Sequence, residues 1–164
     1  MMIRPEAPLD QDDIRRITQA AFAGTEHSSG MESRIVDALR DAGMLTLSLV
    51  ADEDGLIVGH VAFSPVLIDG RDHGWLGLGP ISVLPDCQRR GIGSALIREG
   101  LARIRARGAK GCVVLGQPDF YRRLGFENDP NLRFDGAPPE YFLRLRLADA
   151  VPIGPVTYPR TFYE

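Results

Sequence analysis

Cysteine is scarce in this chain of 164 residues: Cys87 and Cys112 are the only two. Neither has the cysteine and histidine neighbours at ligand spacing that a zinc site needs, so both are expected to be free thiols and no metal is expected. No stretch approaches the roughly 18 consecutive apolar residues of a membrane span, and Met1–Leu9 lacks the apolar core of a secretory signal. A formal net charge of −3 gives no electrostatic footprint for general nucleic-acid binding. These absences predict a soluble cytoplasmic protein that binds neither nucleic acid nor membrane. Internal repeats and low-complexity tracts are also missing, and the length is that of about one domain, so a single domain over 1–164 is expected.

Apolar residues make up 44% of the chain, enough for a sizeable core. Basic residues cluster locally, from Arg89 to Arg107 and at Arg122-Arg123, so a local anion site is compatible with the acidic total. The most informative stretch is Gln88-Arg89-Arg90-Gly91-Ile92-Gly93, between a strand-like apolar run and a strongly helical one. A glycine-rich turn there points unpaired backbone N–H groups and the positive end of a helix dipole at an anion, and glycine lets a phosphate approach the main chain. It is not a P-loop, because Ser94, Ala95 and Leu96 supply no lysine after Gly93. It is not a dinucleotide fingerprint either, since Leu96 stands where a third glycine or alanine belongs.

Periodicity places these residues. Ile3-Arg4-Pro5 reads as a short strand, and Ile14, Ile17, Ala21 and Phe22 share one face of a helix opened by Asp10. After a polar Gly24–Gly30 loop, Met31, Ile35, Ala38 and Leu39 mark a second helix up to Gly43. Strands follow over Leu45–Ala51, Leu56–Ile68 and Trp75–Val83, with turns at Asp52–Gly55 and Asp69–Asp72. In the third strand Leu76 and Leu78 share one parity and Ile81 and Val83 the other, which predicts a β-bulge at Gly79-Pro80. A helix from Ile92 to Gly108, a buried strand at Cys112–Leu115 and a short helix at Phe120–Leu124 come next. Residues 127–139 are turn-rich with three prolines, and strands are predicted at Tyr141–Leu147 and Val156–Tyr158.

The Gln-x-x-Gly-x-Gly loop after Val83-Leu84-Pro85, and the later Phe120-Tyr121-Arg122-Arg123-Leu124-Gly125-Phe126, resemble two motifs of the GNAT superfamily of N-acetyltransferases, in the family's order. The resemblance runs from about residue 3 to the end and implies an α/β fold, with a mixed, mostly antiparallel central sheet flanked by helices. It implies acetyl-CoA as cosubstrate and transfer of acetyl to a primary amine acceptor by direct attack. Backbone groups of Ile81 and Val83 would meet the pantetheine arm, while Gln88, Arg89, Arg90, Gly91, Ile92, Gly93 and Ser94 would form the pyrophosphate loop. Tyr121 would lie near the cofactor sulfur as general acid; a tyrosine packed between helix and sheet is the alternative. Many members carry an asparagine after the strand equivalent to Cys112–Leu115, and here Leu115-Gly116-Gln117-Pro118-Asp119 has none. That variant resembles a bacterial subgroup whose acceptors are mostly unassigned.

Glu32 and His60 are candidate bases, against the readings of a surface glutamate and a core histidine; a water chain to bulk would serve instead of either. The acceptor is expected between the Gly24–Gly30 loop, the second helix and residues 127–139, with His27 and His73 solvated in loops. The superfamily's late strands often mediate homodimers. The rival readings are a catalytically silent acyl-CoA-binding sensor or interaction module, and a structural domain that uses the glycine loop only as a turn.

Overall fold

A computed structural model describes residues 1–23, 32–148 and 150–163, so the Gly24–Gly30 loop, His27 and Met31 lie outside the described residues. In chain order the elements are β1 (Met2–Pro5), α1 (Gln11–Phe22), α2 (Glu32–Asp41), β2 (Leu47–Glu53), β3 (Leu56–Pro65), β4 (Leu67–Ile68) and β5 (Trp75–Val83). They continue with α3 (Ile92–Ala106), β6 (Gly111–Leu115), α4 (Pro118–Arg122), β7 (Leu132–Arg133), β8 (Phe142–Arg146) and β9 (Gly154–Thr157). The chain divides into two compact units, one of Met1–Phe63 with Pro80–Leu101 and one of Ser64–Gly79 with Ala102–Glu164.

In the first unit β1, β2 and β3 form an antiparallel ladder with Val50 opposite His60. The closing half of β5 lies beside β3, where Leu84 N donates to Val58 O at 2.9 Å. Leu47 to Ala51 are all buried because helices cover both faces of this ladder. Ile14 and Ile17 of α1 and Val36 of α2 pack on Val50 and Ile57. On the opposite parity Gly59 approaches Ile92 and Leu96 of α3 so closely that a Cβ there would stand 3.1 and 3.0 Å from their side chains. Burying a leucine or isoleucine side chain in this way contributes about 1.5–3 kcal/mol. Arg4 ties β1 to the start of α1 and to β2, donating to both carboxylate oxygens of Asp10 (2.7 and 3.1 Å) and to Asp52 at 3.2 Å.

In the second unit the opening half of β5 runs parallel to β6, from Trp75 opposite Gly111 to Leu78 opposite Val114, and β8 closes antiparallel on β6. The register ends where the bulge was expected: Gly79 takes φ +144°, which favours glycine. A separate small sheet has the order β4-β9-β7. Its Ile68, Val156 and Leu132 join Trp75, Val113, Phe142 and Tyr158 in one core. Gly77 makes room for the Tyr158 ring, which passes 2.6 Å from the place its Cβ would occupy. The architecture is thus mixed α/β, with antiparallel ladders apart from β5–β6 and β7–β9. Among the described residues no helix is long and apolar enough to cross a membrane, and no cluster of His, Cys, Asp or Glu could hold a metal.

Three sequence expectations are corrected here. The strand expected over Leu56–Ile68 ends at Pro65, and Leu67–Ile68 belongs to the small sheet. Proline has no N–H for the ladder, and Asp69 and Gly70, both with positive φ, fold Ile68 back on Arg71. Residues 127–139, read only as turns, contain β7, whose two residues are too few for periodicity to show. The Tyr121 helix starts at Pro118 rather than Phe120, with the proline in its first turn, where a missing N–H costs nothing.

Candidate active site

Beyond Val83 the first unit builds its loop from local bonds. Cys87 N donates to Leu84 O at 2.8 Å to close a single 3₁₀ turn, and the Gln88 side-chain amide donates to Val83 O at 3.1 Å. Arg89 and Gly91 have φ +66° and +81°, with Arg90 between them outside that region. This alternation is the backbone pattern from which anion-binding nests are made. Among the described residues the first N–H after Gln88 to find a backbone acceptor is that of Ala95, on Gly91 O at 3.0 Å. The N–H groups from Arg89 to Ser94 therefore remain available as donors.

The two glycines of the loop do different work. Gly91 is required by its left-handed backbone, and a Cβ there would point into open space. Gly93 has no such φ, and its Cβ would make only ordinary contacts, at 3.8 Å from Ile81 Cδ1 and Val83 Cγ2. The fold alone would accept alanine at 93. A glycine there leaves the space beside Ile81 and Val83, at the first turn of α3, without a side chain. Ile92 buries its side chain in the core, so only its backbone can face that space.

Charge around the loop is unevenly committed. Arg90 pairs with Glu53 of the β2–β3 hairpin at 2.7 Å, and its hydrogen bond holds the Glu53 carboxyl below its ordinary value. Arg89 is exposed. Sequence reading missed Glu53, a turn residue far from the loop in the chain; only pairing of the hairpin brings it to Arg90.

The second unit holds Tyr121, which is 6% exposed. Its ring lies against Gly116, where a Cβ would collide with it, and meets Phe120 and Phe126 edge-on at 5.0 and 5.7 Å. Burial, reinforced by the neighbouring Cys112 thiol, pushes the phenol up to about 12. The expected terminator Gly125 adopts φ +97°, and Phe126 N donates back to Tyr121 O at 3.1 Å. In the sequence Gly116 stands out only within the segment that lacks an asparagine; its contact with the Tyr121 ring gives it a defined purpose.

His60 is sealed in the first unit, sharing a 2.7 Å hydrogen bond between its Nε2 and Ser48 Oγ, while Nδ1 has no partner. Burial, with Arg40 adding to it, pushes its pKa down to about 3, so the ring is neutral. Glu32 is the first residue of α2 and half-buried.

A family model described as "Acetyltransferase (GNAT) domain" matches residues 46–128, which include β2 to α4 and both the loop and Tyr121. The chain belongs to the GNAT family of acetyltransferases. Its GNAT relatives extend the match beyond that segment. The uncharacterized N-acetyltransferase YhbS of Escherichia coli K12 is 37% identical over 154 residues, covering 91% of this chain and 89% of YhbS. Among solved structures, a GNAT family acetyltransferase from Brucella melitensis in complex with acetyl-CoA is 52% identical, with TM-score 0.88 over 98% of this chain and 97% of its own. The structure of E. coli YhbS in complex with CoA is 35% identical, with TM-score 0.92 over 99% and 92%.

Proposed function

We propose that this GNAT chain transfers the acetyl group of acetyl-CoA to a primary amine by direct attack, with Tyr121 as general acid. The observation that carries the reading is Gly93: a helical glycine that neither backbone conformation nor packing requires, beside a run of unpaired N–H donors. The complexes of its relatives with acetyl-CoA and CoA support the same ligand. The N–H groups of residues 89–94 would receive the pyrophosphate, with Arg89 adding charge. The Val83 carbonyl accepts from Gln88; the Val83 N–H and the backbone of Ile81 would meet the pantetheine amides.

In the chemical step a neutral amine nitrogen attacks the thioester carbonyl carbon; the C–N bond forms, the C–S bond breaks, and the sulfur leaves with the bonding pair. The departing thiolate takes a proton from the Tyr121 hydroxyl, and the nitrogen's surplus proton passes to water. A phenol at about 12 is fully protonated at neutral pH, as a donor must be. The phenolate left behind is a stronger base than the thiolate of a thiol at about 8.5, so it takes a proton from water, the same pool that receives the nitrogen's surplus proton, and the phenol is restored. His60, sealed and neutral, is poorly placed to collect a proton, which leaves Glu32 or a water chain for that task. Acetyl-CoA calorimetry followed by CoA release with a panel of amines tests the reading. Binding with no release on any amine would favour a silent acyl-CoA-binding module instead.

A further inference from the structure

The second unit contains a cavity of about 710 Å³ formed by residues 128–142, the size of a site for one small molecule. Its apolar wall is aromatic. Phe134 stacks on Phe142 with ring centres 5.7 Å apart, and Leu132 and Phe142 are buried behind the surface they share. Asn128 ties the frame of the cavity together. Its Nδ2 donates to the carbonyls of Pro139, Glu140 and Phe142, at 3.3, 3.0 and 3.0 Å, and its Oδ1 accepts from Arg122 at 2.5 Å. Arg122 follows Tyr121 in α4, and Gly116 N, beneath the Tyr121 ring, donates to Tyr141 O at 2.9 Å. The cavity wall is therefore bonded on two sides to the segment that carries the proposed acid.

The charges of the lining are not equally free. Asp129 is committed to Arg144 at 3.1 Å and to the Asn131 N–H. Among the described residues Asp135 and Glu140 have no ion-pair partner, and neither has Arg133, the one cation of the lining. An apolar cavity with two free carboxylates and one free guanidinium suits a ligand that is mostly apolar and carries one positive group. The methylene runs of a polyamine are short and end in charges that would be desolvated against Phe134, and its several charges would find too few partners.

We infer that this cavity holds the apolar body of the acceptor, a small primary amine on an aromatic or branched carbon frame, with Asp135 and Glu140 attracting its ammonium form. The inference rests on the acetyl-transfer reading and names the substrate class of that reaction. Arg133 sets whether the frame also carries a carboxylate. Free amines and amino acids share this chemistry, so the assay separates them.

The test compares phenethylamine, phenylalaninamide, phenylalanine, spermidine and a lysine peptide as acceptors with acetyl-CoA. At least one of the three aromatic amines is expected to exceed spermidine and the peptide in kcat/KM by about tenfold or more, equivalent to one good anchoring contact. Preference for phenylalanine, lost in Arg133→Ala, identifies the amino acid; preference for the other two identifies the free amine. The paired change Asp135→Asn with Glu140→Gln, at exposed positions, should raise the amine KM about three- to tenfold. Ala137→Trp should fill the cavity and raise it further, while acetyl-CoA affinity by calorimetry stays unchanged in all variants. Spermidine or the peptide as best acceptor, or an unchanged amine KM in both cavity variants, overturns the cavity assignment and leaves acetyl transfer standing. Bound acetyl-CoA with no transfer to any amine overturns the reading beneath it and this inference together.

Discussion

The side-chain amide of Gln88 donates to the Val83 carbonyl at 3.1 Å, fastening the end of β5 to the loop that precedes α3. The glutamine thus shapes the loop, and its position in the motif is explained without direct contact to a ligand. Gln88→Ala should raise the KM for acetyl-CoA by roughly tenfold with little change in kcat, the pattern of lost ground-state binding. Gln88→Glu should be worse, because a carboxylate cannot donate to the carbonyl and repels phosphate. Equal KM values for wild type and both variants would detach Gln88 from the loop's function.

Arg89 and Arg90 are expected to differ although they are neighbours. Alanine at either should raise KM for acetyl-CoA more than it lowers kcat, with the larger effect at Arg89, because Arg90 is already paired with Glu53. Glu53→Gln frees Arg90 and should tighten acetyl-CoA binding at low salt, an advantage that fades as ionic strength rises. Weaker binding in Glu53→Gln would show instead that the pair holds the loop in shape.

Acid stability should depend on Arg4 and Asp10. The hydrogen bond from Arg4 holds the Asp10 carboxyl below its ordinary value despite partial burial. A depressed folded-state pKa contributes stability that is present above the unfolded value, near pH 4, and is lost as pH falls through the folded value. The wild-type melting temperature should therefore drop as pH is lowered below about 4, and Asp10→Asn should be less stable at pH 7 with a shallower acid limb. An identical acid limb in that variant would assign the loss to other carboxylates.

Much of this was readable from residue order, and the exceptions have physical causes. β5 was legible from Trp75 to Val83, including its irregularity, because the parity of Leu76, Leu78, Ile81 and Val83 records it directly. The Gly-rich loop and the Tyr121 helix were legible because capping and turn residues act over a few positions. β4 and β7 were not, since two-residue strands carry no period and depend on β9 far along the chain. The Arg90–Glu53 pair and the seat of Tyr121 on Gly116 were hidden for a related reason: contacts that join separate elements leave no local pattern.

Tyr121→Phe keeps the ring against Gly116 and removes only the proton donor. A loss of about 10²–10⁴-fold in kcat is expected, the usual worth of one general acid, with acetyl-CoA affinity nearly unchanged. Because burial holds the phenol near 12, its own deprotonation lies above the usual assay range. A fall in kcat between pH 8 and 10 would thus belong to another group and should persist in the variant. Activity within threefold of wild type, with chemistry limiting turnover, would leave Tyr121 as a packing residue.

If Gly93 is kept bare for a phosphate, calorimetric titration of acetyl-CoA into Gly93→Val and Gly93→Ala will show it. Neither backbone nor packing demands glycine there, so Gly93→Ala should melt at or above the wild-type temperature, by up to about 1 kcal/mol of added helix stability. Acetyl-CoA affinity should nevertheless fall in Gly93→Ala and be abolished in Gly93→Val, with a folded far-UV spectrum in both. Wild-type affinity in a folded Gly93→Val protein would mean that no phosphate needs that space.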